Sequence, residues 1–361
     1  MARDFDVVRT MLREAVEAHA FPAACIEVGR HDGSRWTASA GAFTFDPYAP
    51  LATPDTIFDL ASLTKVIAAT TLTMRAADAG RLALDDLVAQ WFPDWRGSDR
   101  GKVTVRQLLT HSSGLTAYLP LYRDCTGRFE FEKAICTLPL EYAPGTQSIY
   151  SDLGFMLLGS LIEEISGTSL DRFCHEKIFR PLGLRATAFV DLSLVRARRL
   201  TPITDMIAPT ERCPWRKRVL CGEVHDDNAY AMGGVAGHAG LFTSARDVHA
   251  MLLRLEACWA GTDDFIPQAV MREFWTRGDL PGSTWALGWD TPSPSNSASG
   301  TLFSPLTVGH LGFTGTSIWI DLERDRHVIL LSNRVHPSRD NEAIREFRPV
   351  IHDLVNQSLA A

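Results

Sequence analysis

The amino-acid sequence predicts an α+β fold in which one antiparallel sheet is built from both ends of the chain and flanked by helices, with a mainly helical segment inserted between the two ends. Strand-like runs occupy residues 23–29 and 35–42, and strand patterns return only after residue 283. Between about residues 65 and 280, apolar residues recur at the three- and four-residue steps of helices that bury one face. Strands at both ends therefore imply one shared sheet.

The first unit is predicted to be a helix followed by a β-hairpin. Apolar residues form one stripe of a helix over residues 4–19. The two strand-like runs come next, and Asp32-Gly33 between them is a hairpin turn signal. A loop over residues 44–56, which carries three prolines, then leads the chain to Ser62.

The middle of the chain is predicted to consist of helices joined by long connections. One helix follows Ser62 and stops at Gly80. Segment 209–240 has little periodicity and ends in a glycine-dense run. The remaining helices are predicted over residues 84–91, 103–109, 130–138, 153–166 and 170–179, and one more is opened by Thr243-Ser244 and runs to about residue 258.

The last part of the chain is predicted to return to the sheet. Its strands are expected over residues 284–290, 301–312, 317–322 and 327–332, and a closing helix over residues 342–358. We therefore expect one α/β subdomain made of residues 1–61 and 283–361, and a mainly helical subdomain made of residues 62–282. The active site is predicted to lie in the cleft between them.

Composition excludes several classes of function. The 361 residues carry a net charge of −7, which gives no reason to expect nucleic acid or a membrane surface as a partner. Seven scattered cysteines without C-x-x-C spacing indicate reduced thiols, and the first residues lack an export signal, so we expect a cytoplasmic protein. No phosphate-binding loop or dinucleotide fingerprint occurs, and we expect no cofactor.

Ser62 and Lys65 are the first candidates for chemistry. Residues three apart on a helix share a face, so the Lys65 ammonium is predicted to lie beside the Ser62 hydroxyl. A serine hydroxyl needs a neighbouring base, and a lysine serves as one only if its surroundings lower its pKa. The helix N-terminus would also favour negative charge on an acyl oxygen beside Ser62. The alternative is a helix cap with a solvated lysine.

Tyr150 and His310 are possible partners for this pair. Tyr150 lies between a Pro-Gly turn and a helix, where its phenol could exchange protons with Ser62 if Lys65 lowers its pKa. His310 lies in a predicted strand, and Gly312 beside it permits close approach of a ligand or of backbone. The alternatives are a surface tyrosine and a structural histidine.

Together these motifs resemble a known enzyme family. Ser62-Leu63-Thr64-Lys65, Tyr150-Ser151-Asp152 and His310-Leu311-Gly312 stand in the order of the nucleophile, tyrosine and strand motifs of class C β-lactamases and penicillin-binding proteins, a family that includes β-lactamase-like carboxylesterases. The resemblance covers about residues 4–355 and implies the β-lactamase/transpeptidase-like fold.

The resemblance also assigns roles. Ser62 would be the acylated nucleophile, and Lys65 with Tyr150 the proton-transfer pair. The backbone N–H groups of Ser62 and Phe313 would form the oxyanion hole. The substrate-binding part of the cleft would be lined by Asp152, His310, Leu311 and Gly312. No metal is implied.

Two departures from the family pattern bear on the substrate. Asp152 stands where an amide is commoner, and Leu311 stands where a hydroxyl residue usually helps to hold a substrate carboxylate. With a pKa near the usual value of about 6.5, His310 would be cationic only in mildly acid solution. We therefore expect short neutral esters to be better substrates than β-lactams or D-alanyl peptides.

The predicted function is that of a serine hydrolase acting on small esters or amides through an acyl-enzyme, first of all a carboxylesterase. The alternatives are a D,D-peptidase or aminopeptidase-type hydrolase of cell-wall peptide fragments, a β-lactamase, and a catalytically silent binding protein. The predicted partner is a small-molecule substrate. Residues 225–228 and 237–240 suggest a metal site only weakly, because they lack ligand spacing, and packing or a cleft wall is the alternative.

Overall fold

The computed structural model describes residues 5–360. Its strands are β1 Ala23–Gly29, β2 Arg35–Gly41, β3 Phe58–Asp59, β4 Ala188–Phe189, β5 Arg212–Cys213, β6 Arg218–Val219, β7 Leu241–Thr243, β8 Thr307–Leu311, β9 Ser317–Asp321 and β10 Arg326–Ser332. Its α-helices are α1 Asp6–Glu17, α2 Thr71–Asp78, α3 Val105–Leu109, α4 Arg128–Thr137, α5 Asp152–Ser166, α6 Leu170–Cys174, α7 Arg180–Leu182, α8 Leu192–Arg196, α9 Asp227–Ala231, α10 Ala245–Ala260, α11 Gln268–Phe274 and α12 Ile344–Ala360.

Shorter helical turns complete the described chain. They are two π-helical turns, Lys65–Thr70 and His175–Phe179, and two 3₁₀ turns, Val88–Gln90 and Leu121–Arg123. Among residues 5–360, no helix is long and apolar enough to cross a membrane.

The main sheet joins the two ends of the chain, as predicted. Its strand order is β2-β1-β10-β9-β8, and every neighbouring pair is antiparallel. Ala24 of β1 lies opposite Ser332 of β10, so an N-terminal strand pairs directly with a C-terminal one. The α+β architecture expected from the sequence is confirmed.

Both faces of this sheet are covered, because alternate residues of its strands point to two different cores. Ile26 and Val28 of β1 pack in the core shared with α1 and α12. Ala23 and Cys25 of the same strand face the larger core, which contains the helical part of the chain. In that core α5 is the central helix, since every residue from 153 to 162 is buried.

Several element predictions are wrong in length or kind. Residues 284–290 form no strand: Trp285 and Asp290 bridge across a turn, whose Gly288 has φ +78° and lies against Thr70. Of residues 301–312 only Thr307–Leu311 is a strand.

In the helical part, residues 84–91 contain only the 3₁₀ turn, because their backbone pairs with residues 103 and 104 instead. The helix predicted over residues 170–179 continues to Leu182 through a π-helical turn. The boundary between subdomains at residues 61 and 282 stays a prediction.

Candidate active site

Ser62 lies on a turn between a short strand and the helix that contains Lys65. Strand β3 pairs with β7, and the Leu60 N–H donates to the Leu241 carbonyl at 2.9 Å. Ala61 has φ +47°, in the left-handed region that an alanine rarely adopts. The chain turns sharply there, and Ser62 follows with its side chain only partly buried.

Lys65 lies beneath Ser62 and is completely buried. Its ammonium donates to Ser62 Oγ at 3.0 Å, to Asp152 Oδ1 at 2.7 Å and to the His238 carbonyl at 3.3 Å. Burial by itself would lower the pKa of Lys65, but the charge of Asp152 and then Tyr150 outweigh it, and the pKa is raised. A lysine that acts as a base needs a lowered pKa, and that prediction is wrong for Lys65.

Tyr150 completes a cluster around the Ser62 hydroxyl. Lys65 Nζ lies 4.8 Å from the centre of its ring, and its phenol is close enough to Lys65 and Ser62 for both side chains to act on its pKa. Burial raises the pKa of Tyr150, while Lys65 opposes this and Asp152 adds to it. The phenol therefore carries its proton, and the condition that Lys65 brings the pKa down is not met.

His310 lies on β8 facing the same cleft, but as a neutral ring. Its Nδ1 is 2.7 Å from the Leu311 carbonyl, which can only accept, so Nδ1 carries the proton and Nε2 is an acceptor. Burial and then Lys65 lower the pKa of His310 to about 3. The expectation that His310 becomes cationic in mildly acid solution is therefore wrong.

Gly312 lets the end of β8 approach the turn that holds Ser62. A Cβ at this position would lie 2.5 Å from the Leu60 carbonyl oxygen and 2.0 Å from Thr316 Oγ1. Gly312 thus allows close approach to the Leu60 backbone and to the Thr316 side chain. Next to it, the N–H groups of Ser62 and Phe313 have no hydrogen-bond acceptor within the described part of the chain.

One cleft of about 640 Å³ brings the predicted site residues together. Lys65 lies below its floor, in contact with Ser62. Trp285, which the sequence argument did not single out, stacks on the Tyr150 ring at 5.5 Å and 25°. The predicted residues that line the cleft are Ser62, Tyr150, Asp152, His310, Leu311, Gly312 and Phe313.

A comparison with protein families decides the assignment. The sequence model of the β-lactamase family matches residues 8–350. The chain belongs to the β-lactamase family. It is thus a member of a hydrolase family that includes the penicillin-binding proteins, as the three motifs indicated.

Similar proteins match most of the chain. A putative D-alanyl-D-alanine carboxypeptidase of Escherichia coli K12 is 36% identical over 308 residues, which cover 79% of this chain and 70% of that protein. A second, from Salmonella agona, is 34% identical over 315 residues, with 79% and 71% covered.

Solved structures share the fold. EstCE1, described as a hydrolase with promiscuous acyltransferase activity, matches with a TM-score of 0.74 at 20% identity, covering 95% of this chain and 98% of its own. Simvastatin synthase from Aspergillus terreus matches with a TM-score of 0.74 at 19% identity, covering 97% of both chains.

Arginines at one end of the cleft are the main feature that sequence reasoning missed. Arg348 is buried and donates to the carbonyls of Gly312 at 2.6 Å and Thr316 at 3.0 Å. Burial, and then Arg334 and Arg345, lower the pKa of Arg348 to about 9. Residues 345 and 348 are three apart on the predicted closing helix, so the sequence did place them on one face.

Arg334 lies near Arg345 and Arg348. Its Nε donates to the Phe313 carbonyl at 2.7 Å, and its guanidinium lies 4.3 Å from the centre of the Phe313 ring. Among residues 5–360, neither Arg334 nor Arg348 has an acidic oxygen within 4.0 Å. This end of the cleft is therefore cationic.

Another part of the cleft wall uses the histidines that had suggested a metal. His238 Nε2 lies 2.9 Å from Asp226 Oδ1, while the His238 carbonyl accepts from Lys65. Burial would raise the pKa of Asp226, but His238, the Ala229 N–H and His225 together outweigh it, and the pKa is lowered. His225 Nε2 is 3.1 Å from Glu211 Oε2. These rings hold the cleft wall through carboxylates of the chain.

Proposed function

We propose that the protein is a serine hydrolase that cleaves small esters or amides through a covalent acyl-enzyme on Ser62. One observation carries the proposal: the buried Lys65 ammonium lies 3.0 Å from Ser62 Oγ and 2.7 Å from Asp152, at the floor of an open cleft. A lysine this deeply buried, with each contact directed at the site, is an arrangement for catalysis more than for a helix cap.

The charges define how the proton moves. Lys65 donates to Ser62 Oγ, so the hydroxyl proton of Ser62 is free to pass to the nearby phenol oxygen of Tyr150. As Ser62 Oγ attacks the substrate carbonyl carbon, this proton passes to Tyr150. The phenol's own proton passes to the leaving atom, whose bond to the carbonyl carbon breaks.

In this scheme Lys65 acts as a fixed positive charge. Negative charge that develops on the Tyr150 oxygen during the relay lies next to the ammonium, and Asp152 keeps that ammonium protonated. Water then attacks the acyl carbon, and the same groups return the protons in reverse order. The scheme needs neither a neutral lysine nor a phenolate in the resting enzyme.

The carbonyl oxygen is proposed to accept hydrogen bonds from the N–H groups of Ser62 and Phe313. Both groups are free of acceptors within residues 5–360 and flank the closest approach between β8 and the Ser62 turn. Two preorganised donors at this position would stabilise the tetrahedral intermediate.

A carboxylesterase is the first candidate among the possible substrate classes. His310 is neutral and Leu311 is apolar, so the strand beside Ser62 presents no charge to the group that leaves. A short neutral ester needs none.

Ser62→Ala tests the proposal together with a fluorophosphonate probe. The unchanged protein should turn over p-nitrophenyl butyrate and be labelled at Ser62, and the variant should do neither while keeping its melting temperature. Ser34→Ala, on the turn between β1 and β2, is the matched control and should retain both properties. Turnover by Ser62→Ala, or an unlabelled but folded wild-type protein, would overturn the proposal.

A second candidate is a carboxypeptidase of peptides that end in a free carboxylate. The cationic end of the cleft favours it, because no carboxylate within residues 5–360 lies beside Arg334 or Arg348. The relatives from Escherichia coli and Salmonella carry the name of such an enzyme.

The two candidates are separated by comparing p-nitrophenyl butyrate with a D-alanyl-D-alanine peptide. Arg345 is exposed and lines the cleft, so its charge can be reversed with little effect on the core. If Arg345→Glu lowers kcat/KM for the peptide and not for the ester, the arginines recognise a carboxylate. If wild-type kcat/KM is higher for the peptide, the carboxypeptidase replaces the esterase.

A further inference from the structure

Asp59 is a buried carboxylate three residues before Ser62 that the proposed relay does not use. It is 1% exposed. Its Oδ1 accepts from the Ala61 N–H at 2.8 Å and its Oδ2 from the His225 N–H at 2.7 Å. Burial raises the pKa of Asp59, and those two N–H groups oppose the rise. Each carboxylate oxygen thus holds a different wall of the cleft.

The first bond of Asp59 controls the turn on which Ser62 lies. Ala61 has φ +47°, a conformation that costs an alanine free energy and persists only when neighbouring contacts enforce it. The bond from the Ala61 N–H to Asp59 is such a contact. The direction of the next peptide, and with it the Ser62 N–H, follows from this turn.

Other bonds connect Asp59 to Phe313. The Asp59 carbonyl accepts from Thr314 Oγ1 at 2.7 Å, immediately after Phe313 in the chain. The Asp59 carboxylate accepts from the backbone N–H of His225. The side-chain ring of His225 stacks on the Phe313 ring at 5.7 Å and 21°. Phe313 is therefore fixed from two sides by groups that Asp59 binds.

We propose that Asp59 is a positioning residue that sets the relative placement of the two oxyanion-hole donors, the N–H groups of Ser62 and Phe313. This inference rests on the proposed acyl-enzyme function. Donors that are held in place before reaction stabilise the oxyanion without the cost of reorganisation. Asp59 supplies that rigidity because one side chain and its own carbonyl reach both segments.

Asp59→Asn is the decisive variant. It preserves size but turns one acceptor oxygen into an NH₂ group, which cannot accept from the N–H of Ala61 or of His225. Because misplaced donors act chiefly in the transition state, kcat for p-nitrophenyl butyrate should fall by about 30-fold or more while KM changes by less than about twofold.

The specific readout is the ratio of kcat/KM for this ester to that for its thionoester, in which C=S replaces C=O. Sulfur is a weaker acceptor with a longer bond, so an intact oxyanion hole favours the oxygen ester. We expect Asp59→Asn to lower this ratio by about tenfold. Loss of folded protein would reduce both rates equally and leave the ratio unchanged.

Asp321→Asn is the matched control. Asp321, at the end of β9, is an equally buried carboxylate. It accepts from the Ser304 N–H at 3.1 Å and from the Ser304 hydroxyl at 2.6 Å. Asp321→Asn should lower the stability of the protein and leave the ratio of kcat/KM for the ester to that for the thionoester at the wild-type value.

Thr314→Val decides the question if Asp59→Asn does not fold. It removes the hydroxyl bonded to the Asp59 carbonyl and should lower the ratio by about threefold. A wild-type ratio in the folded variants overturns the inference, as does an equal decrease in Asp321→Asn. Failure of the acyl-enzyme proposal is recognised separately, by turnover in Ser62→Ala.

Discussion

Replacing Asp152 by asparagine removes the charge that keeps Lys65 protonated. At the 2.7 Å separation of the two groups and an effective dielectric constant of about 20, Coulomb's law gives an attraction of roughly 6 kcal/mol. Desolvation of Lys65 and the 18% exposure of the Asp152 side chain offset part of it. We expect a loss of about 3 kcal/mol in the free energy of unfolding at pH 7, the usual cost of removing one partner of a buried pair.

The pH dependence of this loss is the sharper prediction. In the wild type the pKa of Lys65 is raised, so its contribution is fully present below the unfolded-state pKa of about 10.4 and disappears as pH rises through the folded-state value. Without Asp152, burial lowers the pKa of Lys65. The unfolded variant then binds more protons than the folded one, and its stability rises with pH. The difference between the two proteins must therefore narrow above neutrality.

Urea unfolding followed by circular dichroism, at about pH 7 and about pH 9.5, measures both free energies. Glu163→Gln is the control, because it breaks the partly buried ion pair with Arg128, whose charge does not titrate in this range. Its destabilisation should be equal at the two pH values. If Asp152→Asn is destabilised by the same amount at the two pH values, the argument that Asp152 keeps Lys65 protonated is refuted.

Three further predictions follow from the titratable groups. Tyr150→Phe keeps the stacked ring, so kcat should fall about 100-fold with little change in melting temperature, and a decrease of less than about threefold would remove the phenol from the relay. Because the pKa of His310 is about 3, His310→Gln should not change the shape of the pH profile of kcat between about pH 5 and 8; loss of an acid limb near pH 6.5 would contradict this. Burial lowers the pKa of His249 to about 4, so stability falls as pH drops from about 6.5 towards 4. His249→Gln should reduce that loss in urea unfolding at about pH 7 and 5, and an unchanged loss would refute it.

The predictable parts of the fold and site are those fixed by local spacing. The position of Lys65 below Ser62 follows from three residues of helix, and the antiparallel hairpin of β1 and β2 follows from two strand-like runs around Asp32-Gly33. Strand predictions failed where the pattern was local but the partner was missing. Residues 284–290 contain apolar and aromatic residues, yet the N–H of Gly288 donates to the Leu109 carbonyl and the segment folds back on itself.

The charge states in the site could not be predicted, because they depend on contacts between distant residues. Asp152 lies 87 positions from Lys65 in the chain, and Asp152 and Tyr150 together outweigh the effect of burial on the pKa of Lys65 only at the short distances that folding creates. In the same way, the sequence gives no indication that burial and Lys65 hold His310 neutral. The motif identified the participants but not their protonation.

The cations of the cleft, Lys65 on one side and Arg334 and Arg348 on the other, differ in the groups that neutralise their charge. Lys65 is matched by Asp152, so its charge is available to the reaction without attracting an anion from solution. Within residues 5–360, Arg334 and Arg348 are held by carbonyl oxygens and, for Arg334, by the Phe313 ring as well, and a guanidinium in such a place keeps its charge while losing water. Under the proposed function, the arginines bear on which leaving group is favoured, while Lys65 and Asp152 bear on the chemistry at Ser62. Under the same proposal, the apolar side chain of Leu311 favours a neutral leaving group and the arginines favour one that carries a carboxylate.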